Sequence, residues 1–372
     1  VLTSQLGVRL VLLLGDAVPL PAPYEVVTAL TQAQVTMDAG GNDGFQLTFR
    51  IAQDAVVDFG LVVSGLLDPF KRVVIAVLAG ALPEVLIDGV ITHRQVTPAE
   101  DPGASTLTVT GKDVSQMMDL EEKNEEYPNQ PDFVIAGRVI AGYAQYGLIP
   151  ATTPTTDVPI QLQRIPRQAE TDFRFLKRLA QRNGYVFYVE PLTFGVNTAY
   201  WGPEIRATPP QPALTAGPYG NVKGIHFSHD GLALVGTTGT FVEPISGTVL
   251  PIPPLPPLRV PPLAAVPVMP RRTTIARDTA QANPAQAALS VLSSQNNAPD
   301  PLTADGEVDT ARYGSVLRAR KLVGVRGAGL THDGLWLVRR VTHTLSPGTG
   351  EYKQSFSLSR EGTVSSTPAV LP

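Results

Sequence analysis

The chain contains no cysteine, which removes disulfide staples, thiolate zinc sites and cysteine nucleophiles together. Charge is scarce as well: charged residues make up 17% and the formal net charge is -4. Gripping nucleic acid by bulk electrostatics needs a basic face, so direct nucleic-acid binding is not expected. No apolar run approaches the roughly 18 residues of a membrane-spanning helix. The segment VRLVLLLGDAV, Val8 to Val18, soon meets Asp16. It has neither the charged start nor the cleavage site of a signal peptide, and reads as a buried strand. GxSxG, GxxxxGK[ST] and HExxH patterns are absent too, so no motif argues for an enzyme.

What is present is turn chemistry and strand patterning. The 372 residues include 35 prolines and 33 glycines, with 43% hydrophobic residues. That is a globular composition long enough for two to four domains, built of many short strands. In GGNDGFQLTFRI (Gly40 to Ile51) a turn cluster leads into Phe45, Leu47, Phe49 and Ile51 alternating with polar residues. This is the period of a half-buried strand. RVVIAVLAG and PEVLIDGVITHRQV follow as strands, the second expected to break at Asp88-Gly89, and STLTVTGKD alternates again. The acidic run DLEEKNEE, Asp119 to Glu126, closes the block as a solvated, partner-facing or helix-end charge run.

From Pro131 the period becomes helical. Asp132 is the expected N-cap, Val134, Ile135, Val139, Ile140 and Tyr143 are the apolar positions, and Gly147 is the stop. After a Thr/Pro linker comes QAETDFRFLKRLAQRNGYVFYVE. Thr171 is placed as N-cap with Asp172 at the positive helix end, and Phe173, Leu176, Leu179 and Ala180 form the stripe flanked by Phe175. Asn183-Gly184 ends the helix before a strand from Tyr185 to Val189. Strands are expected near Val222–Phe227 and Leu232–Val242. Ten prolines between Pro244 and Pro270 read as an extended surface connector, and Asp278 to Gln295 as an Ala-rich helix. The β blocks, with possible barrel walls at Phe45–Arg50 and Phe356–Arg360, resume over Tyr313 to Arg360. Their hairpins echo the first block: Asp88-Gly89 and TLTVTG against Asp333-Gly334 and SFSLSR.

Candidate chemistry is thin. His226, His229 and Asp230 sit in HFSHD, but on a strand the two histidines face opposite sides, and no further ligand completes a metal site. His93 and His343, each after a Thr in the echoing hairpins, read as packing residues. Tyr185, Phe187 and Tyr188 could make a stacking platform for bases or sugars, though core packing is the ordinary explanation. GVRGAG, Gly324 to Gly329, reads as a turn. No catalytic, metal or cofactor-binding residue is assigned, and no cofactor is implied.

The order of a β block ending LTVTGKDVSQMMDLEEKN, a helix ending YGL, AETDFRFLKRLAQRNGYVFYVE, and a β block closing DGLWLVRRVTHTLSPGTGEYKQSFSLSREG resembles the phage late control D family. These are baseplate hub proteins of contractile phage tails and contractile injection systems, similar to the hub half of VgrG spikes. The resemblance spans about Gly41 to Gly362, and TDFRFLKRLAQRNGYVFYV is its most specific part. It implies a mainly β fold with a small α/β insertion: two tube-like β-barrel domains flanking an α/β domain, plus a Pro-rich connector. The implied boundaries are 1–128 for the first barrel, 129–200 for the α/β domain, 201–245 for strands joining the second barrel, 246–304 for the connector and Ala-rich helix, and 305–372 for the remainder. It further implies a homotrimer of pseudo-sixfold symmetry between a hexameric inner tube and a trimeric spike. Spike, tube and baseplate wedge proteins would be its partners, in a particle assembled in the bacterial cytoplasm, without stable membrane insertion. No needle repeat follows, so the spike would be a separate chain, and no lysozyme-like pattern is inserted. The alternative is a carbohydrate- or surface-binding β module.

Overall fold

The computed structural model describes residues 9–51, 60–78, 82–101, 103–155, 159, 161, 165–242, 248–252, 259–276 and 284–367. The fold is mainly β. Ten strands build its two main β units: β1 (Leu30–Asp38), β2 (Gly44–Ile51), β3 (Arg72–Leu78), β4 (Pro83–Thr97), β5 (Ser105–Asp113), β6 (Val222–His229), β7 (Leu302–Val308), β8 (Leu322–Arg326), β9 (Gly334–Ser346) and β10 (Glu351–Arg360). The Leu12/Leu14 segment, Arg9–Gly15, is a strand as expected and pairs with β3.

Two five-strand units have the same order. The first runs β1-β2-β5-β4-β3 and the second β6-β7-β10-β9-β8, every neighbour antiparallel. Between the two units β1 pairs with β9, so that they run on as one open sheet of thirteen strands among the described residues. A single core follows from that seam. Val35, Leu47, Phe49 and Val109 of the first unit share it with Val323, Trp336, Val338 and Phe356 of the second. The walls Phe45–Arg50 and Phe356–Arg360 fall in β2 and β10, with Leu47 and Phe49 fully buried.

The small α/β unit has its own core. Helix α1 (Asp132–Ala141) and helix α2 (Asp172–Asn183) cover a three-stranded sheet of Leu148–Thr152, Val186–Thr193 and Val196–Gly202. In α2 the Thr171 hydroxyl accepts from the Arg174 N–H, and Gly184 ends the helix at φ 66, a left-handed conformation that favours glycine. The stripe is rotated from expectation: Phe175 and Leu176 are fully buried with Leu179 and Ala180, while Phe173 is only half-buried. A 12-residue helix clamped between a sheet and neighbouring helices buries more than one narrow face.

Four further expectations are corrected. Asp132 is not the N-cap of α1; Pro131 holds that place, and the buried Asp132 carboxylate instead pairs with Arg182 and with Asn183 Nδ2 at 2.7 Å. Val134 points outward. The α-helix stops at Ala141, and Gly147, at φ 75, terminates the short 3-10 turn that follows. Asp88-Gly89 does not break its strand, because Asp88 is buried within β4 against Arg72. The second half of the acidic run, Glu122–Glu126, is mostly exposed, as a solvated charge run would be, and forms a strand pairing with Arg167–Thr171. Helix α3 (Pro284–Asn296) holds most of the Ala-rich expectation, whose residues 278–283 lie outside the described residues.

Candidate functional site: the seam between two β units

The repeat is finer than strand order. β4 carries an extra residue between Ile91 and His93 against β5, and β9 carries one between Val338 and Arg340 against β10. β1 has a shift between Leu30 and Gln32 against β2, and β6 has one between Val222 and Gly224 against β7. Aligning the bulges makes His93 the counterpart of Arg340, Val96 of His343, Phe227 of Val35 and Asp230 of Asp38. The β2–β5 and β7–β10 registers give the same alignment independently, since Gly44↔Lys112 matches Thr303↔Ser359 and Phe49↔Leu107 matches Val308↔Gln354. Bulges fix register because a one-residue slip would turn every side chain to the other face. The two Asp-Gly pairs of the sequence echo are not equivalent: Asp88-Gly89 lies inside β4, whereas Asp333-Gly334 opens β9.

At the seam, β1 and β9 pair antiparallel from Arg340↔Asp38 to Leu345↔Ala33. Thr36 and Thr342 hydroxyls lie 3.3 Å apart, and Arg340 Nε donates to Asp38 Oδ2 at 3.0 Å. Burial raises the Asp38 carboxyl, but the Gly40 N–H and Arg340 outweigh it and hold the group below its usual range. On the core side His343 is fully buried, its Nδ1 2.8 Å from the Tyr352 hydroxyl. Burial, seconded by the Arg318 charge, pushes its pKa down to about 3. His343 is therefore the packing residue expected; its partner in that expectation, His93, is exposed.

Arg320 locks the seam from the loop before β8. It stands at φ 65, an unfavourable conformation for a non-glycine residue. Nη1 and Nη2 donate to the buried Asp43 carboxylate at 2.9 and 2.6 Å, Nη2 reaches the Asp38 carbonyl at 2.6 Å, and the guanidinium stands 4.6 Å from the Tyr188 ring centroid. Burial opposes its charge, yet Asp43 raises its pKa further. One side chain thus joins the second unit, the β1–β2 turn of the first and the α/β unit. Behind it, burial and the Asp43 charge push the Asp113 carboxyl up to about 6. Arg320, Asp43 and Asp113 carried no signal in the sequence beyond the turn cluster at Gly40–Gly44, because their partners lie far apart in the chain. A second lock is the buried bidentate pair Arg72–Asp88, at 2.8 and 2.7 Å, to which Asn197 Nδ2 adds a bond at 2.9 Å.

The Pro-rich connector is more than a surface strap. Val249–Ile252 pairs with Val235–Val242, Ala264–Pro267 with Gly362–Ser365, and Ile252, Arg259 and Leu263 are buried; residues 243–247 and 253–258 lie outside the described residues. Arg259 pairs with Asp300 and bonds the Asn296 carbonyl at 3.2 Å, beside Arg206 and Arg339. Burial and the Arg206 charge lower the Arg259 pKa to about 10. Three carboxylates, Glu204, Asp300 and Glu361, balance the three arginines, and all of these but Glu361 line a cleft of about 790 Å³. The bulge residue Arg339 reaches this network because the extra residue re-aims its side chain.

The remaining candidates separate. His226, His229 and Asp230 lie exposed at the end of β6, and no group of three His, Asp or Glu among the described residues could hold a metal. Tyr185 donates to the Pro154 carbonyl and meets Trp201 edge-on, Phe187 is buried, and Tyr188 lies against Tyr200 under Arg320. These aromatics are engaged in packing and not gathered as a platform. Gly327 and Gly329, at φ 79 and 90, make the turn read from GVRGAG.

No protein-family model matches the chain, and no curated protein matches its sequence. Solved structures do share the fold. A tail protein from Neisseria meningitidis MC58 is 13% identical with a TM-score of 0.64, over 96% of this chain and 98% of that one. The 43 kDa tail protein of prophage MuSo2 from Shewanella oneidensis is 15% identical with a TM-score of 0.62, over 95% and 99%. A type VI secretion system component from E. coli, itself similar to bacteriophage T4 tail proteins, is 13% identical with a TM-score of 0.56, over 92% and 77%. This chain thus has, over nearly its whole length, the fold of phage tail and type VI secretion proteins, in agreement with the baseplate hub resemblance of its sequence.

Proposed function

We propose that the protein is the structural hub of a contractile tail or injection particle, a homotrimer joining a hexameric inner tube to a trimeric spike. The observation that carries this reading is the repeat: one chain holds two five-strand units of the same order, with bulges at matching places. Three such chains offer six quasi-equivalent units to a sixfold tube and three identical faces to a spike. The same-fold tail and secretion proteins support a tail role. On this reading the α/β unit, held by Arg72–Asp88 and Arg320, is a rigid bracket, and the work is transmission of force and adaptation of symmetry without chemistry. The domain boundaries expected from the sequence belong to the proposal, as do the partners: spike, tube and wedge proteins at a baseplate.

The test is light scattering of the purified chain, followed by co-purification with the spike and tube proteins of the same particle. A trimer that retains both is expected. A monomer at micromolar concentration that retains neither overturns the reading. The carbohydrate-binding alternative has no supporting observation, since Tyr185 and Tyr188 are committed to internal contacts.

A further inference from the structure

Among the described residues the seam between β1 and β9 occurs once, and the repeat leaves its second copy unmade. β9 is long enough to pair with β8 through Gly334–Leu337 and, on the same side, with β1 through Arg340–Leu345. β4 has the same build: it pairs with β3 only as far as Val90. Beyond that, Thr92–Thr97 has no strand on that side among the described residues, and four of its six residues are exposed. The counterpart of β1 is β6, which ends the sheet and likewise has no strand on its outer side among the described residues. Two exposed edges, each equivalent to one half of an existing joint, are left over. Bare edges of this kind template pairing with another chain.

We propose that β6 of one copy pairs antiparallel with Thr92–Thr97 of the next, in the register of the internal seam. This deepens the homotrimer reading and rests on it. Transferring the β1–β9 register through the bulge alignment gives His93 opposite Asp230, Arg94 opposite His229, Gln95 opposite Ser228, Val96 opposite Phe227, and Thr97 opposite His226. The chemistry follows the transfer. The Arg340–Asp38 ion pair becomes His93 against Asp230, and the Thr342–Thr36 hydroxyl contact becomes Gln95 against Ser228. His343 and Val35, both fully buried, become Val96 and Phe227, which pack against the core but remain half-exposed in one chain. The joint would finish that burial, as the internal seam does for its own pair. The occupant is a second copy of this chain, because the internal seam already shows this edge pair bonding. HFSHD therefore reads as the edge itself, with Asp230 where the seam places Asp38.

The absence of cysteine makes the register directly testable. In the full chain, Gln95→Cys with Ser228→Cys is oxidised and run without reductant. Thr36→Cys with Thr342→Cys, across the 3.3 Å hydroxyl contact, serves as the internal geometric reference. The expected result is covalent dimers and trimers, reversed by reductant. The wrong-face pair Gln95→Cys with His229→Cys should cross-link at least about tenfold less. Hydrogen exchange of the unmodified oligomer gives the second reading: amides in Thr92–Thr97 and Val222–His229 should be slowed relative to the diluted monomer. A trimer whose two edges exchange as fast as in the monomer, or in which the reference pair closes while Gln95/Ser228 does not, overturns the joint and leaves the hub reading intact. A chain that stays monomeric overturns both.

Discussion

Lowering the pH should strain the seam through one residue, His343. It is fully buried between β1 and β10, with Val35 opposite on one side and Gln354 on the other. The folded chain holds its imidazole near pKa 3, against about 6.5 for a free one, chiefly by burial and secondarily by Arg318. Between those values the unfolded chain binds a proton that the folded chain refuses. Stability is therefore complete above about pH 6.5 and is lost progressively as the pH falls toward 3. From pH 7 to pH 5 the loss from this residue is about 2 kcal/mol. Asp113 works in the opposite direction. With a folded pKa of about 6, it takes up its proton earlier in the folded chain and returns about 1 kcal/mol over the same interval. These two contributions partly offset each other, and the variant comparison isolates the histidine. His343→Gln keeps a polar group facing the Tyr352 hydroxyl but does not titrate; it should cost about 1–2 kcal/mol at pH 7. Its urea-unfolding free energy should then lose about 2 kcal/mol less than the wild type between pH 7 and pH 5, at matched protein concentration. If the variant and the wild type lose the same amount, His343 is not a buried neutral group with a depressed pKa.

Two further outcomes follow from the packing. Arg320→Met should destabilise by roughly 3–5 kcal/mol in urea unfolding, because it strands the buried Asp43 carboxylate. Arg320→Lys should recover only part of that, since an ammonium cannot make the two-pronged contact. Gly111→Ala places a Cβ 2.3 Å from the Phe45 ring, and Gly306→Ala places one 2.6 Å from Phe356; each should cost about 2 kcal/mol or more. Gly348→Ala meets nothing within 4 Å and should fall within about 0.5 kcal/mol of the wild type by the same measurement.

What the sequence determined by itself is local. Alternation in Phe45–Ile51 places Leu47 and Phe49 inside because side chains of a strand alternate faces. Thr171 and Gly184 bound α2 because a side-chain cap and a left-handed terminus are satisfied within a few residues of the helix ends. Mainly β character and a small α/β unit were legible for the same reason. The rotation of α2 that buries Phe175 was not, since the stripe is chosen by which neighbours cover it. Nor were Arg320–Asp43, joining residues 277 apart in the chain, or Arg259–Asp300, which turns a proline-rich strap into an anchored segment. Even the echo was misaligned when read from Asp-Gly pairs, because bulges at Thr92 and Arg339 set the true register and a bulge is a property of paired strands. Tertiary structure alone decided that two similar β units meet edge to edge. That meeting depends on long-range hydrogen bonding between β1 and β9, for which no stretch of either strand carries a local mark.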